Sequence, residues 1–245
     1  MKLLMPQMSK RCIHVQHVPN GGWRRKLLAP LLISAFPAHA SASEPDTEYW
    51  AGVSASGSIG GHWLGSAEIS VRSDDAQMRQ PTTVLRPMIG YQLHKNASVW
   101  IGYTRVEQHP DNGSQIAENR LSQQVSLNLG KIGNAHFSAR TRIEQRSYEK
   151  VHGTAWRIRQ QLRLAMPLQS DRASFIISTE PYFTLRTNIS GSNSGLEQWR
   201  NFIGVNVPVT KSVALEAGYL NRYIKRRNAP NRVDHIFPVT LSYRF

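Results

Sequence analysis

Cysteine is almost missing from this chain: Cys12 is the only one, and it precedes an apolar stretch near the N-terminus. A disulfide framework and a cysteine metal site are therefore excluded. Long apolar runs are missing too. No stretch approaches the roughly 18 consecutive apolar residues of a membrane-spanning helix, so a helical membrane protein is excluded. Acidic residues are scarce, 16 against 30 Lys and Arg, for a formal charge of +14. None lies in the first forty residues, which hold Lys2, Lys10, Arg11, Arg24, Arg25 and Lys26, so the 24 later basic residues against 16 acids leave +8. There is no phosphate-binding glycine loop, and Gly60-Gly61 reads as a turn. His62, His94, His109, His152 and His235 form no chelating spacing, so no metal and no cofactor are expected. The basic stretch IKRRNAPNR (224–232) lacks interleaved aromatics, and no nucleic-acid partner is expected.

What is present begins with a leader. WRRK (23–26) is a positive region, LLAPLLISAF (27–36) an apolar core, and Ala38-His39-Ala40 a cleavage site, so residues 1–40 read as a cleaved secretion signal. Ala40-Ser41-Ala42 is a second site, and a start at Met8 would bring the leader nearer the usual length. The apolar core is far shorter than the roughly 20 residues of a spanning anchor. Cys12 would leave with the signal.

From residue 62 onward the chain breaks into period-two segments: 62–73, 82–94, 97–107, 116–130, 134–148, 154–168, 172–187, 196–209, 212–225 and 234–245. HKNA, GKIGNA, PLQSDR and PVTKS are short connections; DDAQMRQPT, EQHPDNGSQIA, SYEKVHGT, NISGSNSGL and KRRNAPNRVD are longer and more polar. Alternating lengths of this kind mark an all-β, antiparallel transmembrane barrel with short periplasmic turns and longer extracellular loops. Ten strands are expected, with twelve possible, and ten would return both termini to the periplasm. Residues 62–245 form the barrel in this reading, and 41–61, including EYWAGVSASGSI, form a short seam strand or a plug.

Parity separates two faces. One carries Ala67, Ile69, Val71, Leu85, Ile89, Val99, Ile101, Val125, Leu127, Ile158, Leu162, Ile177, Ile203, Val205 and Leu215. The other carries Glu68, Arg72, Arg86, Glu118, Arg120, Arg140, Arg142, Glu144, Arg146, Arg157, Arg159, Arg163, Glu180, Tyr182, Arg186, Arg200, Glu216 and Arg222. In a membrane barrel the first face meets lipid and the second lines the lumen. Aromatics gather at both strand ends, as at two membrane interfaces. Gln160 and Asn201 break the apolar parity, which suggests a local register error. A soluble periplasmic barrel, apolar inside, is the alternative.

The last segment, HIFPVTLSYRF (235–245), alternates apolar and polar residues and ends on an aromatic. It resembles the C-terminal strand of bacterial outer-membrane barrels. That resemblance implies that Phe237, Leu241, Tyr243 and Phe245 are read by the outer-membrane assembly machinery, and that outer-membrane lipid and lipopolysaccharide surround a monomer. RPMIGY (86–91), WIGYTRV (100–106), ARTRIEQRSYE (139–149), WRIRQQLRLAMPL (156–168), EQWRNFIGV (197–205) and LEAGYLNRY (215–223) together resemble the bacterial family catalogued as domain of unknown function 2490, which implies a barrel and a location but no activity.

The arginines carry the chemistry. Arg140, Arg142, Glu144 and Arg146 face Arg157, Arg159 and Arg163 on the next strand, with Arg186 and Arg200 on the same parity. Rings of arginine select anions in pores, and guanidinium forks suit carboxylate and phosphate. In a narrow barrel the same side chains can instead interlock and fill the lumen. A structural protein or a small pore that binds or passes small anions is expected. His136 and Ser138 are the weak catalytic candidates: the His-x-Ser spacing resembles the dyad of outer-membrane phospholipase A and lipid A deacylase, which implies a lipid-modifying alternative. No asparagine follows Ser138.

Overall fold

Every segment expected as a strand is one, and the sheet they build has no free edge. A computed structural model describes residues 46–74, 81–109, 115–168, 173–189, 194–227 and 229–245; the expected secretion signal lies outside them. The strands are β1 (Asp46–Gly60), β2 (Trp63–Ser73), β3 (Thr82–His94), β4 (Ala97–Gln108), β5 (Ile116–Ile132), β6 (Ala135–Tyr148), β7 (Val151–Pro167), β8 (Ser174–Thr187), β9 (Gly195–Pro208), β10 (Val213–Ile224) and β11 (Arg232–Arg244). They close into a barrel in chain order, with β1 completing the circle against β11.

The strand number corrects the expectation of ten or twelve: there are eleven among the described residues. Residues 46–60 are the seam strand rather than a plug, longer than expected at 15 residues and paired along its length with β2 and β11. An eleventh strand over EYWAGVSASGSI would break the even count of bacterial membrane barrels, and the expectation of ten sets it aside for that reason. Strand pairing, however, is a backbone interaction, and without β1 the edges of β2 and β11 would expose rows of unpaired N–H and C=O groups. Gly52 and its small neighbours fit the seam, where a Cβ on Gly52 would lie 3.3 Å from Ser70 Cβ.

An odd count forces one parallel pair. β1 runs parallel to β11, Asp46 opposite Asp234 and Ser56 opposite Arg244, while every other pair is antiparallel. Asp46 and Phe245 therefore stand at opposite ends, not at one end as ten strands would require. The lower end, which holds Phe245, carries the connections Gly61-His62, Lys95-Asn96, Gly133-Asn134, 168–173 and 209–212; the upper end carries 74–81, 109–115, Glu149-Lys150, 188–194 and 225–231. Glu149-Lys150 departs from the longer loop expected over SYEKVHGT. Tyr148 pairs with Val151 across a two-residue turn, and Lys150 takes the positive φ (65°) that such turns require, a position usually given to Gly or Asn.

The two faces have opposite chemistry. Ile69, Ile101 and Ile203 are 49%, 48% and 46% exposed on the outside, whereas Arg142, Glu144 and Arg157 are 3% or less exposed inside. Gln160 and Asn201 do face outward, and the register is regular there. Thr141 hydroxyl and the Gln160 side-chain oxygen pair at 2.5 Å, and Thr179 hydroxyl donates to Asn201 at 2.8 Å, so each polar group is satisfied.

Large side chains lie on glycines inside the barrel. The Phe202 ring covers Gly204 and Gly218 on adjacent strands, and Trp100 covers Gly90. A Cβ on Gly218 would fall 2.6 Å from Gly204 Cα and 2.8 Å from the Phe202 ring. Gly218→Ala is therefore expected to destabilise the barrel by about 1–3 kcal/mol through overpacking, measured by urea unfolding in detergent, whereas Ala217→Gly should cost less.

Candidate anion site in the lumen

Strand parity points arginines and acids from adjacent strands into one confined space, where each charge must find a partner or remain desolvated. Most find one. Glu144 of β6 accepts from Arg157 Nε and Nη2 at 2.9 and 2.6 Å and from Arg159 Nη1 at 3.0 Å. Arg159 also reaches Glu180 of β8, which takes a further bond from Arg140 at 3.0 Å and one from Tyr182 hydroxyl at 2.9 Å. Arg157 Nη1 bonds Glu197 of β9 at 2.9 Å, and Arg146 reaches the same carboxylate at 3.2 Å. Arg146 also pairs with Glu118, which Arg120 grips at 2.8 and 2.7 Å.

These links join into one chain of alternating sign, Arg120, Glu118, Arg146, Glu197, Arg157, Glu144, Arg159, Glu180, Arg140. It ties β5 through β9 across the lumen. A second cluster at the seam joins Arg222 and Arg232 to Glu48 and Asp234.

Two cavities flank the network. One of about 940 Å³ opens toward the upper end and is lined by Trp50, Arg72, Arg86, Arg140, Arg157 and Arg200 among others. The other, about 390 Å³, lies at the lower end among Gln92, Ser98, Gln124, Ser126, Ser138 and Gln161. Arg140 lines both.

Of the residues singled out from sequence, Arg140, Arg146, Arg157, Arg159 and Arg200 line the larger cavity. Arg142 and Glu144 are buried in the wall behind it, Arg142 bonded to Gln124 at 2.9 Å. Arg163 stands lower and pairs with Glu216 at 3.1 Å. Arg186 corrects the parity. Pairing shifts between Trp156 and Arg157, so Arg186 lies opposite outward Trp156 and is exposed outside the lumen.

Pairing also shifts between Tyr182 and Phe183, and this turns Glu197, adjacent to inward Gln198, into the network as well. Strict alternation could not find it. Glu48 and Trp50 were missed because β1 was set aside, although their spacing of two residues was a readable signal. Arg232 and Asp234 continue the inward parity of β11.

His136 and Ser138 stand apart in their surroundings. His136 is exposed beside the Gly133-Asn134 turn, Ser138 lines the lower recess, and no hydrogen bond joins them among the described residues. Phe237, Leu241 and Tyr243 lie exposed on the outside of β11, and Phe245, one residue past its end, is exposed too. No group of three or more His, Cys, Asp or Glu suited to a metal ion occurs among the described residues.

No solved structure matches this chain. An uncharacterized protein of Methylorubrum extorquens is 31% identical over 225 residues, which cover 90% of this chain and 98% of the relative. The matching family model spans residues 47–234, from the second residue of β1 into β11, and the chain belongs to the family described as Protein of unknown function (DUF2490).

Proposed function

We propose that this chain spans the bacterial outer membrane as a monomeric β-barrel and takes small anions into an arginine-lined lumen from its upper end. The observation that carries the reading is the inversion of solvent preference: large aliphatic side chains are exposed all round the outside while arginine and glutamate are buried inside. A water-soluble protein avoids exposed apolar patches of that extent. Hydrocarbon, by contrast, requires them, and a closed sheet satisfies the backbone there.

Outer aromatics add support: Trp63 packs edge-on against Tyr91 at 5.2 Å near the lower end, and Trp156, Phe183 and Phe237 are exposed toward the upper one. Rings at both levels suit the two interfaces of a bilayer. Closure also leaves no edge strand for pairing with a second copy. For the lumen, the cluster of guanidinium groups around the larger cavity favours anions over cations.

The mature protein is expected to need detergent to stay dispersed. Reconstituted in planar bilayers under a potassium chloride gradient, it should pass a small current whose reversal potential lies on the chloride side. Cation selectivity or an absence of current would remove the anion reading, and a compact monomer in plain buffer would remove the membrane one.

A further inference from the structure

The arginines lining the large cavity are not equivalent. Arg86, Arg120, Arg140, Arg146, Arg157, Arg159, Arg222 and Arg232 each have a carboxylate partner. Arg72 of β2 and Arg200 of β9 have none among the described residues, and they converge on one residue of β1. The Arg72 guanidinium lies 4.1 Å from the centre of the Trp50 ring and that of Arg200 lies 5.1 Å from it. Trp50 is itself held by its indole N–H, which donates to Glu48 at 2.8 Å.

The hydrogen bonding is also incomplete here, as it is at the Ser70 hydroxyl, Arg140 Nε and Arg142 Nη1 among the described residues. Among the described residues, Arg72 Nε is buried without a partner, and the only bond from Arg200 is Nε to Gln198 at 3.1 Å. Arg200 lies 4.7 Å from the Tyr182 ring as well. The aromatic rings occupy the faces of these guanidinium groups and leave their in-plane N–H donors for something else. Ring contacts offset only part of the cost of holding these two unpaired charges out of bulk water, with the paired Arg222 guanidinium 5.8 Å from the same ring. An anion with several oxygens would supply both the missing charge and the missing acceptors, and arginine forks suit the tetrahedral oxygens of phosphate.

We propose that Arg72 and Arg200, positioned by Trp50, form a binding site for a phosphate group on the wall of the large cavity. A phosphate monoester carries close to two negative charges at neutral pH, which matches two unpaired arginines. This deepens the anion-uptake reading and rests on it. The group can arrive on a soluble molecule or as part of lipopolysaccharide at the upper rim, and the test separates these sources.

The full mature barrel, in a neutral maltoside detergent free of phospholipid, is titrated with inorganic phosphate against chloride at constant ionic strength. The Trp50 signal is the difference in emission between wild type and Trp50→Phe. A saturable change with phosphate and not with chloride is expected, and the Arg72→Met/Arg200→Met variant should weaken it at least about tenfold. Arg244→Met, exposed at the lower end of β11 and lining neither cavity, should leave it intact.

A response only to micelles doped with lipopolysaccharide, lost in the same double variant, assigns the site to lipid-borne phosphate. Equal responses to phosphate and chloride, no response to either phosphate source, or a response surviving in the double variant would overturn the site. A second measurement is independent of ligand. Removing unneeded buried charge should leave the phosphate-free melting temperature of Arg72→Met unchanged or higher, and a drop would show that the arginine serves packing instead. Chloride selectivity in bilayers without phosphate binding would sink this site alone, whereas phosphate binding in a cation-selective barrel would sink the uptake reading alone.

Discussion

Replacing Glu144 by glutamine is expected to cost about 3–5 kcal/mol of barrel stability, the range for breaking a buried ion pair by removing one partner. Glu144 is 1% exposed, accepts from both Arg157 and Arg159, and has the Arg142 guanidinium 3.9 Å away. Glutamine keeps the shape but removes the charge facing three cations and replaces one acceptor oxygen by a donor that points at other donors. Arg157 and Arg159 keep Glu197 and Glu180 as partners, so the network loosens around its centre rather than dissolving.

The intact network need not be worth that much. Taking a full set of charges out of water costs nearly what their mutual attraction returns, so an apolar replacement of a pair can be neutral or stabilising. Glu144→Leu with Arg157→Leu should therefore recover part of the loss seen in Glu144→Gln. Urea unfolding of the three proteins in the same detergent checks this. A loss below about 1 kcal/mol for Glu144→Gln would mean that water reaches the carboxylate, since exposed pairs are worth only that much.

The same side chains mark what was readable in the sequence. Arg140, Arg142, Glu144, Arg157 and Arg159 were placed inside by a period of two alone, because along a regular strand each side chain inherits its direction from its neighbours. The inheritance fails at a bulge. One extra residue before Arg186 turns it outward and another turns Glu197 inward, and nothing in the residue types announces either shift. Strand β1 was hidden for a different reason. An eleventh strand breaks the even count expected of such barrels, and β1 is held in place by hydrogen bonds to β2 and β11, which only closure of the whole sheet makes available. The phosphate corner was hidden with it, since Trp50 brings Arg72 and Arg200 together only once β1 lies in the wall.

Lysine in place of Ile158 provides the sharpest test of which face meets lipid. Ile158 sits near the middle of β7, faces outward, and lies in register with Ile143 of β6 and Phe183 of β8, both also outward. In the proposed membrane placement an ammonium group there would have to enter hydrocarbon or bend toward a distant interface, at a cost of about 2–4 kcal/mol near the bilayer midplane. Gln161 lies three residues along the same strand but lines the lower recess beside Arg140. Lysine at 161 meets extra positive charge but keeps access to water, so its loss should be well below that of Ile158→Lys. Unfolding free energies in lipid vesicles, compared between the two variants, give the answer. A barrel with water outside would reverse the order, because the exposed lysine would be harmless and the inward one would carry the penalty; equal losses would likewise contradict an outer face in lipid.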